Sequence, residues 1–270
     1  GVFPFRTLSL RTLISYLQVA SMIQLYEMQL PAAVQGLVTV ETVASSAGDA
    51  MVSIDCAAKL PPLDLFVMKE VIVYVAPVVM ILILVIFHGA RLKLGRAERD
   101  VVVDQFVASA IIVVNLMYPT LVKRTALMFS CRNIGGKNFL DEALDVECWN
   151  PTHMRAFMTT ALPGGVIYVV GFPLGLLLLL VRLRRRGALK QNGPHYEKRW
   201  VLRLGFLCAG YEDEYVYWEA VVLGRKALLS GAAVFLAHNG TTMQVVVAIL
   251  ILFLSYALQM KYHPLEHDWH

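Results

Sequence analysis

Long runs of apolar residues without a charged side chain dominate the pattern of this chain. Four such runs are clear, at residues 71–87, 105–122, 156–181 and 239–260. A helix that crosses the hydrocarbon core of a bilayer needs roughly 17–25 predominantly apolar residues, and all four runs reach that length. The runs therefore predict four membrane-spanning helices.

Two further segments show a weaker pattern. Residues 8–30 contain Gln18 and Gln24, which favours packing against other helices over full contact with lipid. Residues 214–237 are apolar but are interrupted by charged side chains. Together the segments predict an all-α membrane protein, a bundle of about six transmembrane helices. The predicted spans are 8–30, 66–88, 102–122, 156–181, 214–237 and 240–260.

The composition agrees with a membrane protein. Of the 270 residues, 57% are hydrophobic and 16% are charged, and the mean hydropathy is +0.60. Soluble domains have about 45–50% apolar and about 25% charged residues. The net charge of +4 is modest and lies in short connections, which is typical of a membrane border and not of a nucleic-acid surface. We therefore expect the lipid bilayer as a partner and no nucleic acid.

The basic residues predict an orientation, because cytoplasmic loops are enriched in lysine and arginine. These residues follow the second and the fourth predicted spans. If the helices alternate, both termini are cytoplasmic, whereas residues 31–65, 123–155 and 238–240 lie outside. The densest group either binds anionic lipids at the inner face or only fixes the topology. It consists of Arg182, Arg184, Arg185 and Arg186.

The start of the chain suggests that it is part of a longer protein. The sequence begins at Gly1 and not at Met, and no basic segment followed by a short apolar segment marks a signal peptide. We expect residues 1–270 to form a single polytopic transmembrane domain, a C-terminal fragment of a longer surface protein.

Two features suit the predicted outer side. Cys131 and Cys148 lie in one outer segment, where a disulfide persists and contributes roughly 3 kcal/mol. The alternatives are two free thiols, or pairing of either residue with Cys56. Asn239 begins an Asn-Gly-Thr glycosylation triplet, but its closeness to the bilayer argues against modification.

Three charged residues lie within the fifth predicted span, namely Glu219, Arg225 and Lys226. Glu219 and Lys226 are seven residues apart, so they share a helix face but lie ~10 Å apart along its axis and do not pair directly. Each needs another partner, such as Glu70, Glu27 or a backbone carbonyl. The charges indicate either an ion pathway or gating charge, or side chains that extend to the inner border beside a belt of aromatic residues.

Motifs for catalysis and cofactor binding are missing from the sequence. There is no Ser–His–Asp or HExxH arrangement and no glycine-rich phosphate loop. None of the seven histidines lies in the middle of a predicted span, where a haem ligand is needed. We therefore expect no enzyme activity, no cofactor and no metal site.

Several segments resemble a known family. Residues 204–211 read LGFLCAGY and are followed by Tyr217-Trp218-Glu219 and Arg225-Lys226, while residues 131–149 begin with Cys-Arg-Asn and end with Glu-Cys-Trp. This pattern, over most of residues 5–265, resembles the TRP-like transmembrane domain of large algal and protist cell-surface proteins, which is distantly related to polycystin and TRP proteins. The resemblance implies a channel-like module in a plasma or ciliary membrane, joined to a large extracellular region or to other protein chains.

Three functions are then open. The first is a TRP-like module that acts as a cation channel or a channel-associated subunit. Such channels place a pore helix and filter between their last two spans, but only about five residues separate the last two here. The second function is a non-conducting membrane anchor for an extracellular or ciliary assembly. The third is an accessory subunit of an energy-converting membrane complex.

Overall fold

The protein is mostly helical. The computed structural model describes residues 61–95, 98–189, 196–208, 211–212 and 214–264, with Leu13, Ser15 and Tyr16. The other residues of the predicted span 8–30, and Cys56, lie outside this described part. Six helices occur in it. They are α1 (Pro62–Lys93), α2 (Arg99–Leu127), α3 (Pro151–Arg185), α4 (Lys198–Cys208), α5 (Trp218–Phe235) and α6 (Thr241–Tyr262).

Four of these helices, α1, α2, α3 and α6, are long and apolar enough to cross a membrane. They confirm the spans predicted near 66–88, 102–122, 156–181 and 240–260 as helices and extend beyond most of those bounds. Extra turns of helix are expected, because the apolar pattern marks only the part that matches the hydrocarbon core.

The predicted span 214–237 is the shorter helix α5, which carries three charged residues. It lies antiparallel to α6 along its whole length. The rings of Trp218 and Tyr262 are 6.0 Å apart at one end, and Gln244 donates a hydrogen bond of 2.6 Å to the carbonyl of Ala233 at the other. Five candidate helices of a bundle are thus described, and a bundle of six transmembrane helices stays a prediction.

The prediction of an all-α protein was incomplete, because a small antiparallel sheet follows α2. Its strands are β1 (Cys131–Ile134), β2 (Lys137–Leu140) and β3 (Ala143–Glu147), in that order across the sheet. Gly135 and Gly136 connect β1 to β2 with φ of +61° and +86°. Two glycines at positive φ form a tight hairpin turn, which brings the strands together so that their backbone groups pair.

The sheet covers one end of the helices. Leu140, Ala143 and Val146 pack in one buried cluster with Phe66 of α1 and Leu127 of α2. The connection between α5 and α6 lies at the same end. There His238 Nε2 is 3.4 Å from an oxygen of Asp141 in the sheet. We call this the disulfide end, since it also holds Cys131 and Cys148.

The opposite end holds the other connections. Arg91, in the last turn of α1, donates a 2.6 Å hydrogen bond to Gln105 of α2. The guanidinium of Arg184, near the end of α3, lies 5.7 Å from the ring centre of Tyr217, just before α5. We call this the arginine end, since α3 finishes there in residues 182–186. The two ends agree with the alternation of helices that the sequence predicts.

Helix α3 continues past two prolines by widening its turns. A proline inside a helix lacks an N–H donor, and its ring clashes with a carbonyl of the preceding turn. Before Pro163 the chain forms π-helical turns at Phe157–Ala161, and before Pro173 at Gly165–Gly171. At Gly171 a Cβ atom would lie 2.7 Å from the carbonyl oxygen of Val166, so the second wide turn depends on glycine.

The distribution of polarity is the reverse of that in a soluble protein. The exposed fraction is 72% for Ile86 and 64% for Phe253, whereas it is 0% for Lys226. Large apolar side chains are exposed along α1, α3 and α6, and several polar side chains lie between the helices. In water such a surface aggregates, but in a bilayer the lipid tails cover it.

Candidate functional site

A chain of buried polar side chains joins α2 to α5. The amide nitrogen of Asn115 donates a hydrogen bond of 3.2 Å to Glu219, and the ammonium of Lys226 donates one of 3.4 Å to the amide oxygen of Asn115. All three side chains are buried. The sequence predicted two of these residues as intramembrane charges, and the structure brings them together through the third.

Asn115 fits this position because an amide offers a donor at one atom and an acceptor at the other. It therefore serves an acidic and a basic side chain whose Cα atoms lie ~10 Å apart along one helix. The sequence also offers Glu70 as a partner for these charges, but no hydrogen bond joins Glu70 to them in the described part of the chain. The missed signal was a lone asparagine in the uncharged run 105–122.

Lys226 has no exposed surface within the described part of the chain, so its ammonium does not extend to a membrane border there. Its neighbour Arg225 is partly buried and interacts electrostatically with Glu219. Among the residues that the structure describes, none forms a hydrogen bond with the Nε of Arg225. A charge costs several kcal/mol when it leaves water, so these groups depend on each other and on Asn115.

A second polar group lies between α1, α2 and α3, nearer the disulfide end. Glu70 is buried and interacts electrostatically with Arg124. The hydroxyl groups of Tyr74 and Thr125 share a hydrogen bond of 2.8 Å. The hydroxyl of Tyr168 donates to the backbone carbonyl of Tyr74 at 3.0 Å. This group fastens the three helices to each other, and its charged side chains are buried.

The arginines at the end of α3 are all exposed, namely Arg182, Arg184, Arg185 and Arg186. The basic residues of α4 have a different environment. Arg203 donates a 2.7 Å hydrogen bond to Asp104 of α2, and Arg199 lies 3.2 Å from Asp100. Helix α4 packs on α2 with Val201, Leu204 and Leu207 buried.

The disulfide between Cys131 and Cys148 is present, with an S–S distance of 2.03 Å. It joins the start of β1 to the residue that follows β3, and so ties the sheet closed. Cys208 of α4 is partly buried and forms no disulfide within the described part of the chain. Asn239 is exposed in the short turn Ala237–Asn239, directly before α6. Its glycosylation stays a prediction.

His153 connects this cap to the helices. Its Nδ1 accepts a hydrogen bond of 3.0 Å from the backbone of Trp149, so the proton lies on Nε2, 3.1 Å from the carbonyl oxygen of Met128. Asn150 caps the start of α3 by accepting from the backbone N–H of His153 at 2.7 Å. Sequence analysis did not single out this histidine, because it lies outside the predicted spans.

Metal sites and catalytic groups were not expected. In the described ranges, no group of three or more His, Cys, Asp or Glu side chains is placed to hold a metal ion. The absence of a cofactor and of enzyme activity stays a prediction.

Comparison with known proteins gives limited information. No protein-family profile matches the chain, and no solved structure matches it. The chain is similar to the cysteine repeat modular protein A of Toxoplasma gondii, with 30% identity over 125 residues. The alignment covers 44% of this chain and 4% of the Toxoplasma protein. The chain therefore matches a small segment of a much longer protein.

Proposed function

We propose that this chain is the membrane module of a much larger cell-surface protein and anchors that protein in a plasma or ciliary membrane. The observation that carries the proposal is the reversed polarity of the bundle, with apolar side chains outside and Lys226, Asn115 and Glu219 inside. The module is of the TRP-like type that the sequence resembles, and it has six transmembrane helices when the span 8–30 is included.

The small share of the Toxoplasma protein that the alignment covers supports a large partner region. A segment that matches 4% of a modular protein is suited to holding the remainder at a membrane. The disulfide-closed sheet supports an outward position for its end, because disulfides persist outside the cytoplasm. The arginine end is then cytoplasmic, as are both termini.

The test is chemical labelling in intact cells of two introduced cysteines, each in a Cys56→Ser/Cys208→Ser background that keeps the disulfide between Cys131 and Cys148. Leu144→Cys lies in β3, and Arg185→Cys lies at the arginine end; both side chains are exposed. We expect a membrane-impermeant maleimide to label Leu144→Cys in intact cells and Arg185→Cys only after permeabilisation. The reverse labelling would overturn the orientation. Release of the chain from membranes by alkaline carbonate would overturn the anchor itself.

Cation transport, as a channel or a channel-associated subunit, is the second candidate. The buried hydrogen bond between Lys226 and Asn115 favours it, because ionisable groups inside a membrane bundle mark ion pathways. Under this candidate, Lys226→Gln changes the current of the reconstituted chain, whereas Lys137→Gln, which removes an exposed charge at the disulfide end, does not. Equal currents in the two variants, or no current in the unmodified chain, leave anchoring as the function.

A further inference from the structure

We infer that Arg182, Arg185 and Arg186 form a binding site for anionic phospholipids of the inner leaflet. The inference rests on the proposed membrane function, and it goes beyond that function by naming a ligand and its contacts. Three observations support it: these arginines are unpaired within the described part of the chain, they share one side of α3, and exposed leucines precede them on that side.

The basic residues of the arginine end fall into paired and unpaired groups. Arg203 and Arg199 of α4 are neutralised by Asp104 and Asp100. Arg91 of α1 donates to the side chain of Gln105. The two arginines of α4 fasten that helix to α2 and are neutralised there, whereas the uncharged amide of Gln105 binds Arg91 without removing its charge.

The arginines of α3 behave differently. Arg184 lies against the ring of Tyr217. The exposed side chains of Arg182, Arg185 and Arg186 make no hydrogen bond or ion pair with any residue of the described part. Exposed arginines that no carboxylate neutralises attract anions, and a guanidinium binds a phosphate through two parallel hydrogen bonds.

The three unpaired arginines also share one side of the helix. Residues that are three and four positions apart lie next to each other on a helix surface, and 182, 185 and 186 have this spacing. Arg182 and Arg185 are in the last turn of α3 and Arg186 directly follows it, at the helix end where the dipole favours cations. The side chain of Arg184 points in another direction, toward Tyr217. The other three arginines therefore form one patch of positive charge.

The same side of α3 meets lipid immediately before the patch. Leu174 and Leu178 precede Arg182 at successive intervals of four residues, and both are highly exposed. If these leucines contact lipid tails, the arginines lie at the depth of the head groups of the same lipids. This position favours a membrane lipid over a soluble anion as the ligand.

The test measures lipid binding by the purified full chain in nanodiscs of neutral phosphatidylcholine. A fluorescent phosphoinositide bisphosphate is titrated against the wild type and against Arg182→Gln/Arg185→Gln/Arg186→Gln. Each basic residue near an anionic membrane contributes about tenfold or somewhat less to binding, so we expect the triple variant to bind on the order of 100-fold more weakly. An affinity within about threefold of the wild type would overturn the inference.

A matched control removes three charges from the disulfide end. Arg132, Lys137 and Arg155 are exposed there, and the variant Arg132→Gln/Lys137→Gln/Arg155→Gln has the same net charge as the first. We expect this control to keep the wild-type affinity. Equal weakening in both variants would show that net charge alone controls binding, which contradicts a site. Displacement of the lipid by inorganic phosphate at the same concentration would also overturn it.

Two further measurements separate this inference from folding and from the proposed function. Arg182→Lys/Arg185→Lys/Arg186→Lys keeps the charges, and we expect it to bind more tightly than the glutamine variant; equal loss in both would contradict the role of charge. Incorporation of each variant into nanodiscs reports membrane insertion independently. Wild-type chain that inserts but does not select the anionic lipid overturns only the lipid site, whereas failure to insert overturns both proposals.

Discussion

The ammonium of Lys226 donates a hydrogen bond of 3.4 Å to the side-chain oxygen of Asn115, although the two residues are 111 positions apart and neither belongs to an exposed surface. The contact joins the middle of α5 to α2, the helix that touches α1, α3, α4 and α5. The other side of the amide binds Glu219. One uncharged side chain thus links two of the three charged residues of α5, Glu219 and Lys226, to the centre of the bundle.

The variant Asn115→Leu should therefore destabilise the bundle. It removes two hydrogen bonds to charged groups that stay buried, which costs about 3 kcal/mol. The measurement is the unfolding transition of the purified chain in mild detergent. Gln105→Leu, an exposed substitution of similar chemistry on the same helix, should change the transition only slightly. Similar transitions for both variants would contradict a structural role for Asn115.

A single sequence predicts the helices of this protein well, because their signal is local. An uncharged run reports directly on the surroundings of its own residues, so the segments near 66–88 and 156–181 were identified as helices. Asn115 was not identified, since its importance comes from residues on another helix. Pairing across helices is a property of the packed bundle and is not encoded in any short window.

The sheet was missed for a different reason. An apolar run long enough to cross a membrane does not mark short strands, and the strands in residues 131–147 have only four or five residues each. A local signal was nevertheless present, because Gly135-Gly136 is the sequence of a two-residue hairpin turn. The disulfide was predicted correctly from the location of Cys131 and Cys148. Only the structure shows that this disulfide joins the two ends of the sheet.

Removal of the disulfide should loosen the sheet and the cap over the helices. The double variant Cys131→Ser/Cys148→Ser should lose about 3 kcal/mol of stability, because the unfolded loop is no longer closed. The check is the unfolding transition under non-reducing conditions. Cys208→Ser removes a thiol that is not part of this disulfide and serves as the control, with little expected change. A wild-type chain whose transition is unaffected by reductant would argue against this contribution.

The close approach of α3 to α1 depends on Gly164. A Cβ atom at this position would lie 2.5 Å from the ring of Tyr74, so Gly164→Ala forces the ring or the helix to move. We expect a loss of about 1–3 kcal/mol, measured as a lower melting temperature in detergent. Gly175→Ala, in the same helix, meets nothing within 4 Å and is the matched control.

A second substitution distinguishes this contact from a general effect on α3. Gly164→Ala combined with Tyr74→Ala should cost less than the sum of the two single changes, because the smaller side chain makes space for the new methyl group. Additive costs would show that the ring is not what limits the approach of the helices.

The attachment of α4 to α2 should depend mainly on the pair formed by Asp104 and Arg203, and much less on Asp100. The exposed fraction of the Asp104 side chain is 8%, and that of Asp100 is 74%. Asp104→Asn should therefore weaken the attachment by about 2 kcal/mol, since the hydrogen bond from Arg203 is charge-assisted and shielded from water. Asp100→Asn makes the same chemical change on the same helix but removes an exposed pair, worth about 0.2–1 kcal/mol.

The fluorescence of Trp200, which lies on α4 beside Arg203, reports detachment of α4 during denaturation. We expect α4 of Asp104→Asn to detach at a lower denaturant concentration than in the wild type, and α4 of Asp100→Asn to detach at nearly the wild-type concentration. The opposite order would show that the exposed pair holds α4 in place.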